Sequence, residues 1–312
     1  MQFNAPRALE PILLKCLAGE PDDRFASAVQ LARQLELCQK PRVQQLLYET
    51  PDWVIGWLRR TPLLTMAIAV LAPNLVLSVL NISNNLKAAV PPGAQSVFTG
   101  QVAVINSLAY GLGLALSSAM AWPLVRAVRS VACDQPVDSD QARIVSKRSL
   151  VLGEMVSWLI MAAWAVCGVA FAVSMSTVDK TLTTGAVFHF VLSQIGCGLM
   201  AGTLSFFLLT YLDVRGALPI FADPDHVDET LARHMSALVR RTWLYLGLYV
   251  AVPSVSVILL ALSNSDFKEA FLALGILGAL GFGITLPLAL AIRSDLAALS
   301  EVVDPRGARE VA

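Results

Sequence analysis

Few side chains in this sequence could do chemistry, and they are scattered. Glu154 and His189 are ionisable groups inside long apolar runs, and Asn74, Asn106 and Gln194 are amides in the same setting. Ionisable residues inside a membrane are costly and mark proton or ion paths when they face inward. Glu154 follows Lys147 and Arg148 within about two helical turns. Its simpler chemistry is therefore a carboxylate reaching the membrane surface or a local ion pair. A proton or cation role is the sharper alternative. His189 is expected at the wet outer end of its run. The three amides suit hydrogen bonding between helices better than lining a pore. Residues 222–229 gather four acids around His226. A metal there would need convergent ligands. An acidic first turn of a helix with Arg233, Arg240 and Arg241 further along is the plainer account, since acids favour the positive end of the helix dipole. Cys16, Cys38, Cys133, Cys167 and Cys197 show no CxxC pair and no nearby His, which argues against a zinc site and a disulfide framework. No Ser/His/Asp or Cys/His constellation can be assembled. No catalytic residue or metal ligand is assigned.

The elements that must carry these residues are membrane helices. Apolar residues make up 56% of the chain and charged residues 15%, against roughly 25% charged in soluble domains. The charges balance, 23 basic against 23 acidic, so nothing points to a nucleic-acid partner. Six apolar runs, at 62–82, 97–125, 150–176, 186–212, 242–263 and 270–292, match the bilayer core in length. They do not alternate polar and apolar residues, which excludes barrel strands. The expected fold class is all-α and polytopic, with lipids as partners. Alternate connections are basic: Arg59 and Arg60; Arg126, Arg129, Arg143, Lys147 and Arg148; Arg215, Arg233, Arg240 and Arg241; then Arg293, Arg306 and Arg309. The others hold single lysines, Lys87, Lys180 and Lys268. The positive-inside rule places the basic side and both termini in the cytoplasm of an inner membrane. Trp53, Trp57, Trp122, Trp243, Tyr211 and Tyr245 are expected at the interfaces. Basic pairs at Arg59-Arg60, Lys147-Arg148 and Arg240-Arg241 open alternate spans. They suggest three helical-hairpin repeats, although any hairpins obeying the positive-inside rule look this regular. Gly111, Gly113, Gly196, Gly198, Gly202, Gly275, Gly278, Gly281 and Gly283 permit close packing. Pro73, Pro253 and Pro287 could kink their spans.

The amino-terminal segment differs in kind. MQFNAPRALEPILLKCL is not a signal peptide, because no basic region precedes a short apolar one. Ala8, Leu9, Ile12, Leu13, Cys16 and Leu17 share a helical face, as do Ala28, Leu31, Ala32 and Leu35. Ser27 followed by Gln30 forms a capping-box pattern. Two helices this short cannot bury a core alone. The string Leu9-x-x-Ile12-x-x-Lys15-Cys16-Leu17-x-x-x-Pro21-x-x-Arg24-Phe25-x-Ser27-Ala28-x-x-Leu31-Ala32-x-x-Leu35 resembles the last two helices of the bacterial serine/threonine protein-kinase catalytic domain. The resemblance implies that Lys15, Cys16, Arg24 and Phe25 are kinase-fold structural residues. In that family the arginine matched by Arg24 pairs with the glutamate of the APE motif.

The chain holds no counterpart of the glycine-rich loop, the VAIK lysine, or the HRD, DFG and APE motifs. It is therefore expected to be inactive alone, needing no cofactor; ATP and magnesium would belong to a catalytic part encoded upstream. On this reading Met1 begins inside a longer kinase frame. Residues 1–40 are the remnant of the kinase C-lobe, 41–60 a juxtamembrane linker or interfacial helix, 61–293 the membrane domain and 294–312 a cytoplasmic tail. The expected function is the membrane-anchoring or sensor region of a signalling kinase, with self-association as a further partnership. The rival is a small transporter or channel whose first residues resemble a kinase by chance. Cysteine-accessibility labelling should find positions 87, 180 and 268 outside, and 143 and 233 inside. An outside label at 143 or 233 would overturn the six-span topology.

Overall fold

The computed structural model describes residues 9–49, 52–133, 135, 137–178, 184–222, 228–262 and 268–304. Among them there is helix and no strand. Four short helices come first: α1 (Leu9–Cys16), α2 (Ala28–Leu37), α3 (Pro41–Leu47) and α4 (Trp53–Arg60). Long helices follow: α5 (Pro62–Ala88), α6 (Gln95–Ala132), α7 (Ser139–Val178) and α8 (Thr184–Leu212). After a π-helical turn (Asp213–Ala217) and the short α9 (Leu218–Phe221) come α10 (Glu229–Leu262) and α11 (Lys268–Val303). Helices α5, α6, α7, α8, α10 and α11 are long and apolar enough to cross a membrane. Many of their large apolar side chains, Leu75, Leu108, Val166 and Leu280 among them, face outward, as lipid contact requires.

The connecting segments are too short for the chain to run back along a helix, so consecutive long helices alternate in direction. The basic clusters therefore gather at one end, called proximal here, together with α1–α4. The helices are much longer than the apolar runs. At 38 residues, α6 is about 57 Å long, nearly twice the thickness of a bilayer core. The surplus lies proximally in α6, α7, α10 and α11. Stretches expected as connections are thus helical extensions of the spans. The tail expected from residue 294 is helical to Val303, with Leu296, Leu299 and Val302 fully buried.

Helix α8 is the central element, with most of its apolar window covered. Glycines explain its closeness to α7. A side chain at Gly198 would strike Trp164, and one at Gly202 would strike Met161 and the Ser157 carbonyl. Gly278 and Gly281 do the same for α11 against Pro253 and Tyr249 of α10. Gly111, Gly113 and Gly283 face open space and tighten nothing. Two hairpins, α7–α8 and α10–α11, are closely packed, whereas α5 and α6 touch each other less. Pro73, Pro123, Pro253 and Pro287 break no helix: all lie within continuous ones.

The linker expected over 41–60 is docked. Val43 and Leu46 of α3, with Leu37 of α2, enter one core with Met235, Leu238, Leu296 and Leu299. Ile55 and Leu58 of α4 enter another with Met66, Val125 and Leu212. Asp52 caps α4, accepting from Ile55 N at 2.9 Å. Trp53, Trp57, Trp122 and Trp243 are exposed as interfacial aromatics should be. Tyr245 is buried and stacked on Phe206 with ring centroids 3.9 Å apart, so its ring faces another helix. Tyr211 lies partly buried beneath Arg215. Both sit on helix faces turned to the neighbouring helices.

Helix α1 is held weakly. Leu13, Leu14 and Leu17 are mostly exposed, and only Ile12 is buried, against Cys38 with Cys16, Phe25, Leu31 and Tyr48 around them. Burial raises the Cys38 thiol pKa above its ordinary value, so it packs as a neutral group. Hydrogen exchange of the chain in lipid nanodiscs should be at least about tenfold faster in α1 than in α3 and the long helices, since most of α1 buries nothing. Equal protection would mean that α1 has found a covering surface.

Candidate functional site

A polar row runs up α5. Asn74, Ser78, Asn81 and Asn85 recur at helical spacing and are all buried, on a helix that is mostly apolar. Across from them stand Asn106 and Tyr110 of α6, Trp164 of α7 and Gln194 of α8, and together these residues line a cavity of about 750 Å³ including its open mouth. The row forms because residues four apart share a helix face. The cavity forms because α6, without close glycine contacts, stands off.

Asn74 is fully engaged. Its Nδ2 donates to the Val70 carbonyl at 2.7 Å, and its Oδ1 accepts from Trp164 Nε1 at 2.8 Å. Tyr110 Oη donates to its backbone carbonyl at 2.9 Å. Asn106 Nδ2 donates to Ser78 Oγ at 3.3 Å. Asn74 and Asn106 bond between helices, and with Gln194 they also line a cavity, which was not expected. Asn81 and Asn85 are different. Each is nearly inaccessible, at 3% and 1% exposure, and each Oδ1 has no hydrogen-bond partner among the described residues. The sequence reading missed both; their periodic spacing behind Asn74 was the available signal.

His189 corrects an expectation. It stands near the distal end of α8 but is buried rather than wet, with 4% exposure, its ring edge-on to Phe271 with centroids 6.4 Å apart. The packing of α11 beside α8 covers it. It lines a second cavity, of about 700 Å³ with its mouth, which also touches Asn81. Glu154 belongs to neither cavity. It pairs with Arg241 of α10, an ion pair that links two helices.

Charge is concentrated at the proximal end. Asp295 of α11 is fully buried and ion-paired with Arg42 of α3, and Arg215 of the π-helical turn approaches it at 3.8 Å. Arg215 also reaches Asp52 at 3.6 Å and bonds the Tyr211 hydroxyl. Lys40 pairs with Glu301 at 2.6 Å, and Arg33 donates to the Val302 carbonyl. The chain thereby clamps α2, α3 and α4 onto α11 and the π-helical turn. Asp213, in that turn, is fully buried with both carboxylate oxygens unpartnered among the described residues. Neither Asp213 nor Asp295 drew notice in the sequence, because both lie in stretches that read as solvated connections. Burial lowers the Arg59 guanidinium pKa from its ordinary value.

The residues matched to the kinase motif lie together but away from both cavities. Lys15 Nζ sits 4.9 Å over the Phe25 ring, and Phe25 and Cys16 pack on Ile12 and Cys38. Arg24 is exposed and donates through Nε to the Ala18 carbonyl at 2.8 Å. It therefore holds the end of α1. Ser27 caps α2, accepting from Gln30 N at 3.2 Å, while Gln30 Oε1 accepts from Ala26 N rather than from the cap residue itself. Most of the acidic segment around His226 falls outside the described residues. Asp228, at its end, caps α10 by accepting from Leu231 N at 2.9 Å.

No known protein family, curated protein or solved structure matches this chain.

Arg42→Ala should destabilise the docked α3. Removing one partner of a fully buried ion pair costs about 3–5 kcal/mol; Arg42 is partly exposed and Asp295 keeps Arg215, so about 1–3 kcal/mol is expected here. Hydrogen exchange across residues 41–47 measures it. An unchanged rate there would mean that the apolar contacts alone hold α3.

Proposed function

We propose that this chain is the membrane-anchoring and sensor region of a bacterial serine/threonine protein kinase. The six-helix bundle lies in the inner membrane with both termini cytoplasmic, and α1 and α2 form the end of the kinase C-lobe. The observation that carries this reading is the outward apolar face of α1 and α2. Leu13, Leu14, Leu17 and Val29 are exposed on the helices that bear the kinase-like string, and a catalytic part would cover them. Each leucine so buried contributes roughly 1.5–3 kcal/mol, enough to seat that part firmly. The junction to the bundle supports the same reading. A loose tether could not pass a conformational change, whereas α3 and α4 are pinned to α11 and the π-helical turn by Arg42, Asp295, Arg215 and Asp52. A rearrangement among the long helices would move these short ones as a unit.

The runner-up is a small transporter or channel, and the cavity beside α5 favours it. Solute flux through proteoliposomes that is lost in Asn81→Leu would support the transporter. The kinase reading has a direct test in the DNA upstream of the Met1 codon. Kinase motifs are expected there, in this frame or a shifted one. Their absence within about a kilobase, ample for one domain, would overturn the reading. The purified chain should show no magnesium-dependent phosphoryl transfer, because the parts that position nucleotide, metal and base are missing. Transfer above a detergent control, from a preparation free of host kinases, would contradict it.

A further inference from the structure

We propose that the cavity among α5, α6, α7 and α8 is a binding site for a neutral, lipid-soluble aromatic molecule bearing hydroxyl groups. This deepens the sensor reading by naming the class of molecule sensed, and rests on that reading only for the consequence of binding.

The volume of about 750 Å³ counts the open space at the mouth as well as the interior, so a ring can enter while an attached chain stays toward lipid. The walls exclude charge. Its lining contains no Asp, Glu, Lys, Arg or His, so no side chain of opposite charge would offset the hydration an ion loses there. Aromatic side chains supply flat apolar surface. Tyr110 and Trp164 spend their polar atoms on Asn74 and leave their rings for contact. Phe98 and Phe171 close the distal end as part of an apolar plug with Met175 and Phe190. The side toward α6 is thinly covered, because little of that helix's apolar window is buried, which suits a ligand arriving through lipid.

The polar requirement is set by Asn81 and Asn85. Buried polar groups in folded proteins are nearly always hydrogen-bonded, yet these two amides, in residues that line the cavity, keep buried Oδ1 atoms with no partner among the described residues. They stand one helical turn apart, with Cβ atoms about 5–6 Å apart. A hydroxyl matches an amide in either orientation, since it can donate to Oδ1 and accept from Nδ2. Two hydroxyls at that spacing on an aromatic ring would engage both. The neighbouring Asn74, whose amide is already satisfied from within the bundle, asks for nothing.

The test uses the full chain in lipid nanodiscs with hexylresorcinol as probe, a neutral ring with two hydroxyls. Saturable binding above that of empty nanodiscs is expected. Its dimethyl ether, which cannot donate, should bind about tenfold more weakly, the loss of about 1.4 kcal/mol that hydrogen bonds of ordinary strength supply. The double variant Asn81→Leu/Asn85→Leu should weaken hexylresorcinol by a similar factor and weaken the ether, which can only accept, less. Gly113→Phe is the second variant. Gly113 lines the cavity and a side chain there meets nothing nearby, so the ring should fill the space and abolish binding without disturbing the fold. The amide variant decides if it melts cooperatively; otherwise Gly113→Phe decides alone. Partition no greater than in empty nanodiscs, or binding untouched in the deciding variant, overturns the proposal. Binding without kinase motifs upstream would remove the kinase reading alone. Kinase motifs without binding would remove the site alone.

Discussion

Gly198 and Gly202 of α8 lie directly beneath Trp164 and Met161 of α7, and the rest of the bundle is arranged around that contact. In an apolar medium, helices gain little from exchanging lipid for another apolar face, so close backbone approach and interhelical hydrogen bonds must hold them. Small residues permit that approach between α7 and α8, and again between α10 and α11. With α8 enclosed on several sides, α5 lies against it more extensively than against its own hairpin partner α6. The less constrained α6 then leaves space, and the cavity is that space.

The polar groups divide by depth as a consequence. Amides and hydroxyls occupy the interior of the bundle, where an uncharged group can be satisfied by a single neighbour, as Asn74 is by Trp164. Carboxylates and guanidinium groups gather proximally, where Asp295 can recruit both Arg42 and Arg215. Glu154 follows the same rule through Arg241. Asp213 is the exception, a buried carboxylate on a π-helical turn without a partner among the described residues. Such turns insert an extra residue into a helix and often mark functional positions.

The proximal helical extensions give the short helices something to dock on. Had α11 ended where its apolar run ends, Leu296, Leu299 and Val302 would not exist as a surface for α2 and α3. In the proposed sensor this platform is the place where a change in the bundle would meet the cytoplasmic helices. Apolar contacts supply the adhesion, and the Arg42, Arg215 and Asp52 contacts fix the register.

The number and approximate position of the long helices were legible in the sequence, because transfer of a segment into hydrocarbon is close to a local sum over its residues. So were the cap at Ser27 and the alternation of strongly basic connections with ones holding a single lysine, which depend on neighbours in the chain. Asn74, Asn106 and Gln194 stood out one by one, but nothing local said that they would meet, or that Asn81 and Asn85 would join them. The face of a membrane helix that turns to lipid is as apolar as the face that turns to another helix, so periodicity does not separate them. For the same reason Tyr245 packs against Phe206, Tyr211 is half-buried beneath Arg215, and His189, which read as wet, is buried. The burial of Asp295 required α3 to return against α11, a contact between residues some 250 positions apart. Tertiary packing alone made that choice, because it depends on which surfaces of distant helices fit closely enough to exclude water.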